Sequence, residues 1–151
     1  MTADEPESIP RTMKRLVVST PGNGTSVADV TVQIQNVPTP EPNMGEVLIK
    51  VSAAPINPSD YGSWYRSKPS SYPMFIGKEG CGVVVATGFG SSLRCPVGTK
   101  VGFVCNDATQ GSYAEYVTMD VMTGVFPMPT DVPIENCASF FVNPYTAVGI
   151  L

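Results

Sequence analysis

A small antiparallel β-barrel, mainly β with short helices near its end, is the fold class this sequence predicts. Three observations predict it. Apolar and polar residues alternate at period two in several short stretches, as half-buried strands require. Proline and glycine together make 29 of 151 residues (15 plus 14), well above an average usage of about 12%, as many short strands joined by sharp turns need. The alternation stops only in the last twenty residues, where helix signals replace it.

Residues 1–13 are polar and acidic and read as a flexible tail. The barrel then spans residues 14–132. Residues 14–18 (KRLVV) form a short strand, and Val30, Val32 and Ile34 alternate with Thr31, Gln33 and Gln35 in a second, half-buried one. The proline-rich stretch 37–42 (VPTPEP) is a stiff connector that ends in Asn43-Met44-Gly45. Alternation resumes over 46–53 (EVLIKVSA), with Val47, Ile49 and Val51 on one face, and residues 82–85, 100–104 and 113–118 supply three more strands, each announced by glycine. Residues 133–151 are helical. Pro133-Ile134-Glu135 starts one short helix, with proline and an acid in its first turn. Asn143-Pro144 divides it from a second, asparagine capping that helix and proline opening it.

Composition excludes several function classes. A net charge of −4 with no lysine- or arginine-rich block offers nothing to a phosphate backbone, which argues against nucleic acid. No apolar run approaches the roughly 18 residues of a membrane span, and the acidic opening is unlike a secretory leader, so a soluble, cytoplasmic protein is expected. The four cysteines, Cys81, Cys95, Cys105 and Cys137, form no CxxC pair and read as free buried thiols. Histidine is absent, which rules out a Ser-His-Asp triad and removes the commonest zinc ligand.

Five segments stand in order along the chain: Asn57-Pro58-Ser59-Asp60, residues 77–84 (GKEGCGVV), residues 96–101 (PVGTKV), residues 111–116 (GSYAEY) and residues 138–151 (ASFFVNPYTAVGIL). In that order they resemble the N-terminal, GroES-like catalytic domain of the medium-chain dehydrogenase/reductase superfamily, over residues 14–151. Zinc-dependent members of that superfamily carry histidine where Lys78 stands and a cysteine near Asp60. Neither is present, and a protonated lysine is no zinc ligand. The chain therefore resembles the zinc-independent branch, the quinone oxidoreductases and 2-enoyl thioester reductases, which reduce polarised double bonds with NADPH. The resemblance implies NADPH as cofactor, no metal, and a small-molecule substrate. It places Asn57 and Thr146 near the nicotinamide and its ribose, with Asn143 beside them, and Asp60 and Lys78 at the substrate pocket. It also implies a tyrosine from the stretch 61–72 (YGSWYRSKPSSY) as proton donor, Tyr65 first and Tyr72 second.

Plainer readings stand beside these. Asn57-Pro58-Ser59-Asp60 also reads as a capped turn, Glu79 as a partner of Lys78 or of a backbone donor, and Lys78 as a solvated side chain. Tyr113 and Tyr116 read as barrel packing, and Phe140-Phe141 as core. In the superfamily the dinucleotide lies between the barrel and a Rossmann domain, whose glycine-rich turn has no counterpart here. The expectation is a catalytic domain of a longer enzyme, inactive or nearly so by itself. Its bare apolar surface would then drive self-association. The alternative is a stand-alone GroES-like module that binds a partner or small molecule and does no redox chemistry.

Overall fold

The structure, a computed structural model, describes residues 8–20, 24–66, 72–106 and 110–151. Residues 1–7 of the expected tail and residues 67–71 of the tyrosine-rich stretch lie outside them. Among the described residues, eight strands run β1 (Thr12–Thr20), β2 (Thr31–Pro38), β3 (Glu46–Ala53), β4 (Met74–Phe75), β5 (Glu79–Thr87), β6 (Lys100–Val104), β7 (Tyr116–Asp120) and β8 (Val125–Pro127). Helix α1 (Pro58–Arg66) lies between β3 and β4, and α2 (Val142–Ile150) follows β8. Short 3-10 turns occupy Val27–Asp29 and Ile134–Cys137, so the first of the two expected terminal helices is a single turn.

The strands make two antiparallel sheets, ordered β2-β1-β4 and β7-β3-β5-β6-β8. Residues 113–115 stitch them together. Arg15 and Ala114 form a β-bridge, the Leu16 N–H donates to the Tyr113 carbonyl at 2.8 Å, and the Val51 N–H donates to the Glu115 carbonyl at 2.9 Å. The result is a curled half-barrel. The expected strand over 113–118 is thus divided: its first half serves β1 and β3 as a bridge, and its second half enters β7.

The period-two pattern positions the core. Val47 and Ile49 of β3 pair with Met119 and Val117 of β7, and with Val84, Val101, Phe103 and Val125 they fill the barrel interior. Leu48, on the opposite face of β3, is also buried, against Met13 and Tyr116. Glycine is required at position 82 of β5, because a Cβ there would overlap the Lys50 carbonyl oxygen of β3.

β2 departs from expectation. The Val32 and Ile34 face predicted to be half-buried is open, Ile34 being 66% exposed. β2 is the edge of its sheet, and nothing among the described residues covers that face. It borders instead an apolar cleft of about 510 Å³ lined by Leu16, Val32, Ile34, Ile56 and Trp64 among others.

Candidate active site

The entry to α1, the first residue of β5 and the entry to α2 meet at one polar junction. Asn57 precedes α1, Pro58 opens it, and Asp60 stands at its third position. Proline suits the first position because its missing N–H would be unpaired there anyway. Asp60 reaches back, accepting the Asn57 N–H at Oδ2 (2.7 Å), which is one half of a capping box. Its other oxygen, Oδ1, accepts the Lys78 N–H at 3.0 Å. A carboxylate 1% exposed therefore ties the start of α1 to the residue before β5. Residues 57–60, which also read as a capped turn, open a helix that continues to Arg66. Gly62 and the serines are weak helix formers and hid it, although asparagine, proline and aspartate at these spacings are a start signal.

Glu79 does the same for the far end of the chain. It is completely buried and is the first residue of β5. Its Oε1 accepts the Asn57 Nδ2–H at 3.0 Å, and its Oε2 accepts the backbone N–H groups of Phe141 (3.0 Å) and Val142 (2.9 Å). Those are the first free amides of α2, which has no side-chain cap of its own. An anion at a helix N-terminus satisfies its unpaired donors and its dipole together. Glu79 thus takes backbone donors, as one plain reading held, and no ion pair joins it to Lys78 among the described residues.

This arrangement corrects the expected start of α2. Asn143 does not cap the helix, which begins at Val142, two residues before the expected Pro144. Asn143 instead donates from Nδ2 to Asn57 Oδ1 at 3.2 Å. Thr146, one turn on, is exposed and donates to the Val142 carbonyl at 2.6 Å. Lys78 is half-buried, and its ammonium meets no partner among the described residues.

The two candidate tyrosines lie on other elements than the junction residues. Tyr65 lies at the last turn of α1, with the Arg66 guanidinium 5.0 Å above its ring, and Tyr72 packs in the apolar cluster of Val18, Met74 and Ile76. Neither hydroxyl hydrogen-bonds to Asn57, Asp60, Lys78, Glu79 or Asn143. Tyr113, read as packing, does pack edge-on to Trp64, yet its hydroxyl donates to the Pro55 carbonyl at 2.9 Å beside the junction. Burial, and then the neighbouring Asp60 carboxylate, push the Tyr113 phenol well above its ordinary range. Phe140 and Phe141 are half-buried and pack with Phe126, and Tyr145 stacks on Phe141 at 4.4 Å.

Among the described residues, no three His, Cys, Asp or Glu side chains converge as a metal-binding group. The two carboxylates of the junction are occupied with amides, and the side-chain groups left with bonding capacity are the Asn143 amide, the Thr146 hydroxyl and the Lys78 ammonium.

This order of elements matches known proteins. Residues 43–130, more than half of the chain, match the alcohol dehydrogenase GroES-like domain. The chain belongs to that family. Prostaglandin reductase-3 of Mus musculus is 38% identical over 128 residues, 83% of this chain and 32% of that protein. A zinc-type alcohol dehydrogenase-like protein of Schizosaccharomyces pombe is 35% identical over 120 residues, 76% of this chain and 35% of that protein. Among solved structures, mycobacterial Rv1454c complexed with NADPH superposes with a TM-score of 0.72 at 30% identity, covering 92% of this chain and 39% of that one. The GroES-like chain therefore spans about a third of the length of the curated relatives it matches. Its place is in the medium-chain dehydrogenase/reductase superfamily.

Proposed function

We propose that this chain is the catalytic domain of a zinc-free, NADPH-dependent oxidoreductase that reduces quinones or activated alkenes such as enones, enals and enoyl thioesters. One observation carries the reading: both buried carboxylates are committed to amides, while the side-chain groups left with bonding capacity are neutral or cationic. Such a site orients partners and stabilises negative charge, and it has no base poised to take a proton.

The residues fit a nicotinamide nucleotide. Asn143 spends one Nδ2–H on Asn57 and keeps its Oδ1 and second N–H, which suit a carboxamide or a ribose hydroxyl. Thr146 spends its proton on α2 and keeps acceptor capacity. NADPH, when bound, supplies the hydride for the acceptor's activated carbon. Lys78, through its ammonium, would stabilise the charge that develops on the acceptor's carbonyl oxygen, and Asp60 would hold Lys78 in place through the backbone. Tyr65 would return the proton to the reduced product, with Tyr72 as the second candidate.

The test is NADPH consumption by the full-length protein with a quinone and an enone, with and without a chelator. Turnover indifferent to the chelator supports the reading. The zinc-type name of the yeast relative makes the chelator the informative arm, because activity that vanishes with it would move this chain to the metal-dependent branch.

A specific observation favours a second reading, a binding or assembly module without redox activity. The cleft beside β2 is apolar and open. Self-association through it would appear as a concentration-dependent dimer in sedimentation, and a monomer at every concentration would remove self-association.

A further inference from the structure

Glu79 fixes more than the start of α2. We infer that Glu79 is a positioning residue that sets the direction of a hydrogen-bond relay through Asn57 to Asn143, so that Asn143 presents an acceptor oxygen to the bound nucleotide. The inference rests on the reading above and names the group that meets the cofactor.

The argument is one of donors and acceptors. An ionised carboxylate only accepts, so Asn57 must turn its Nδ2 toward Glu79 Oε1 (3.0 Å). Its Oδ1 then faces the other way and can only accept, so Asn143 must turn its own Nδ2 inward, at 3.2 Å. The Asn143 Oδ1 is left pointing outward, on an exposed side chain. Two facing amides by themselves pair equally well in either direction, donor and acceptor exchanged. Glu79 removes that freedom, and its second oxygen, held by two backbone N–H groups, keeps the carboxylate from turning.

Glutamine reverses the logic without changing the shape. In Glu79→Gln the amide oxygen keeps the Phe141 and Val142 N–H groups, and Nε2 now faces Asn57. Asn57 flips to offer its oxygen, and its Nδ2 then points at Asn143, which must flip as well. The outward group becomes a donor.

The experiment measures NADPH affinity in the full-length protein by fluorescence titration. Glu79→Gln should weaken binding about tenfold, the scale of one mismatched hydrogen bond. Asn143→Ala should weaken it to a similar extent, and Glu79→Gln added to Asn143→Ala should change it by less than about threefold, because the effect has lost its route. Asn143→Asp alone sets two acceptors face to face and should weaken binding, whereas Glu79→Gln with Asn143→Asp restores donor to acceptor and should return to within about threefold of the parent. A helix cap alone would give additive losses and no rescue, and that result overturns the inference. If the parent protein binds no NADPH, the proposed function fails. The relay is then judged by the Asn143 side-chain amide resonances: a shift in Glu79→Gln upholds it and none overturns it.

Discussion

The barrel interior and the polar junction are built on opposite plans. Inside the barrel, Val47, Ile49, Val84, Val101, Phe103, Val117 and Met119 share one buried apolar cluster, held by packing rather than by paired polar atoms. At the junction, Asn57, Asp60, Glu79 and Asn143 each meet named atoms at hydrogen-bond distance. A lost contact in the first region is shared among neighbours that relax around it; a lost group in the second leaves a buried donor with no substitute. Packing gives the domain its stability, and the junction gives it a defined geometry where the barrel meets α2.

The sharpest contrast pairs two substitutions of comparable cost and different consequence. Phe103→Ala should lower stability by about 4 kcal/mol, as removal of a fully buried aromatic ring does, read from chemical denaturation. Glu79→Ala should cost about 3 kcal/mol, because one buried and two part-buried donors lose their acceptor. It should also speed hydrogen exchange in the first turn of α2, which Phe103→Ala should leave in step with the rest of the domain. If Glu79→Ala costs under about 1 kcal/mol, the junction is not held as described.

A smaller effect tests the edge of the junction. Tyr113→Phe removes one hydrogen bond, to the Pro55 carbonyl, and should cost about 1 kcal/mol near neutral pH. The raised phenol adds a sign. The folded state favours the protonated form, so its contribution is intact below the ordinary tyrosine range, about pH 10, and is lost as pH rises beyond it. Tyr113→Phe should flatten that alkaline limb of the pH–stability curve.

The smallest effect lies away from the site. Asp120 accepts the backbone N–H groups of Met122 and Thr123 and the Thr123 hydroxyl, and the Met122 bond leads in holding its carboxyl below the usual range. The contribution is present above the ordinary carboxylate range near pH 4 and is lost as pH falls through the lowered folded value. Asp120→Ala should reduce the acid-side slope and leave the alkaline limb unchanged.

How much of this was legible from the residues follows the same division. Alternation at Val47, Ile49 and Val51 is a local signal, and it led to a strand. Ile34 alternates just as well, yet its face is open, because period two shows which side chains share a face and not whether anything covers it. Helix α1 was hidden by Gly62 and its serines, although its cap signals were present. The link from Glu79 to Phe141 and Val142 spans more than sixty positions and leaves no local pattern at either end. Asn143 was read as a cap for the same reason: its type fits that task, and only the fold shows Asn57 beside it.

The most direct test of the central claim is NADPH oxidation by the full-length protein, stripped of metal, with a quinone or enone as acceptor. The account predicts turnover that needs no added zinc and that falls by at least about tenfold in Asn57→Ala, the loss expected of a group that orients the reacting partners. No oxidation with any such acceptor, or activity that returns only with zinc, would contradict it.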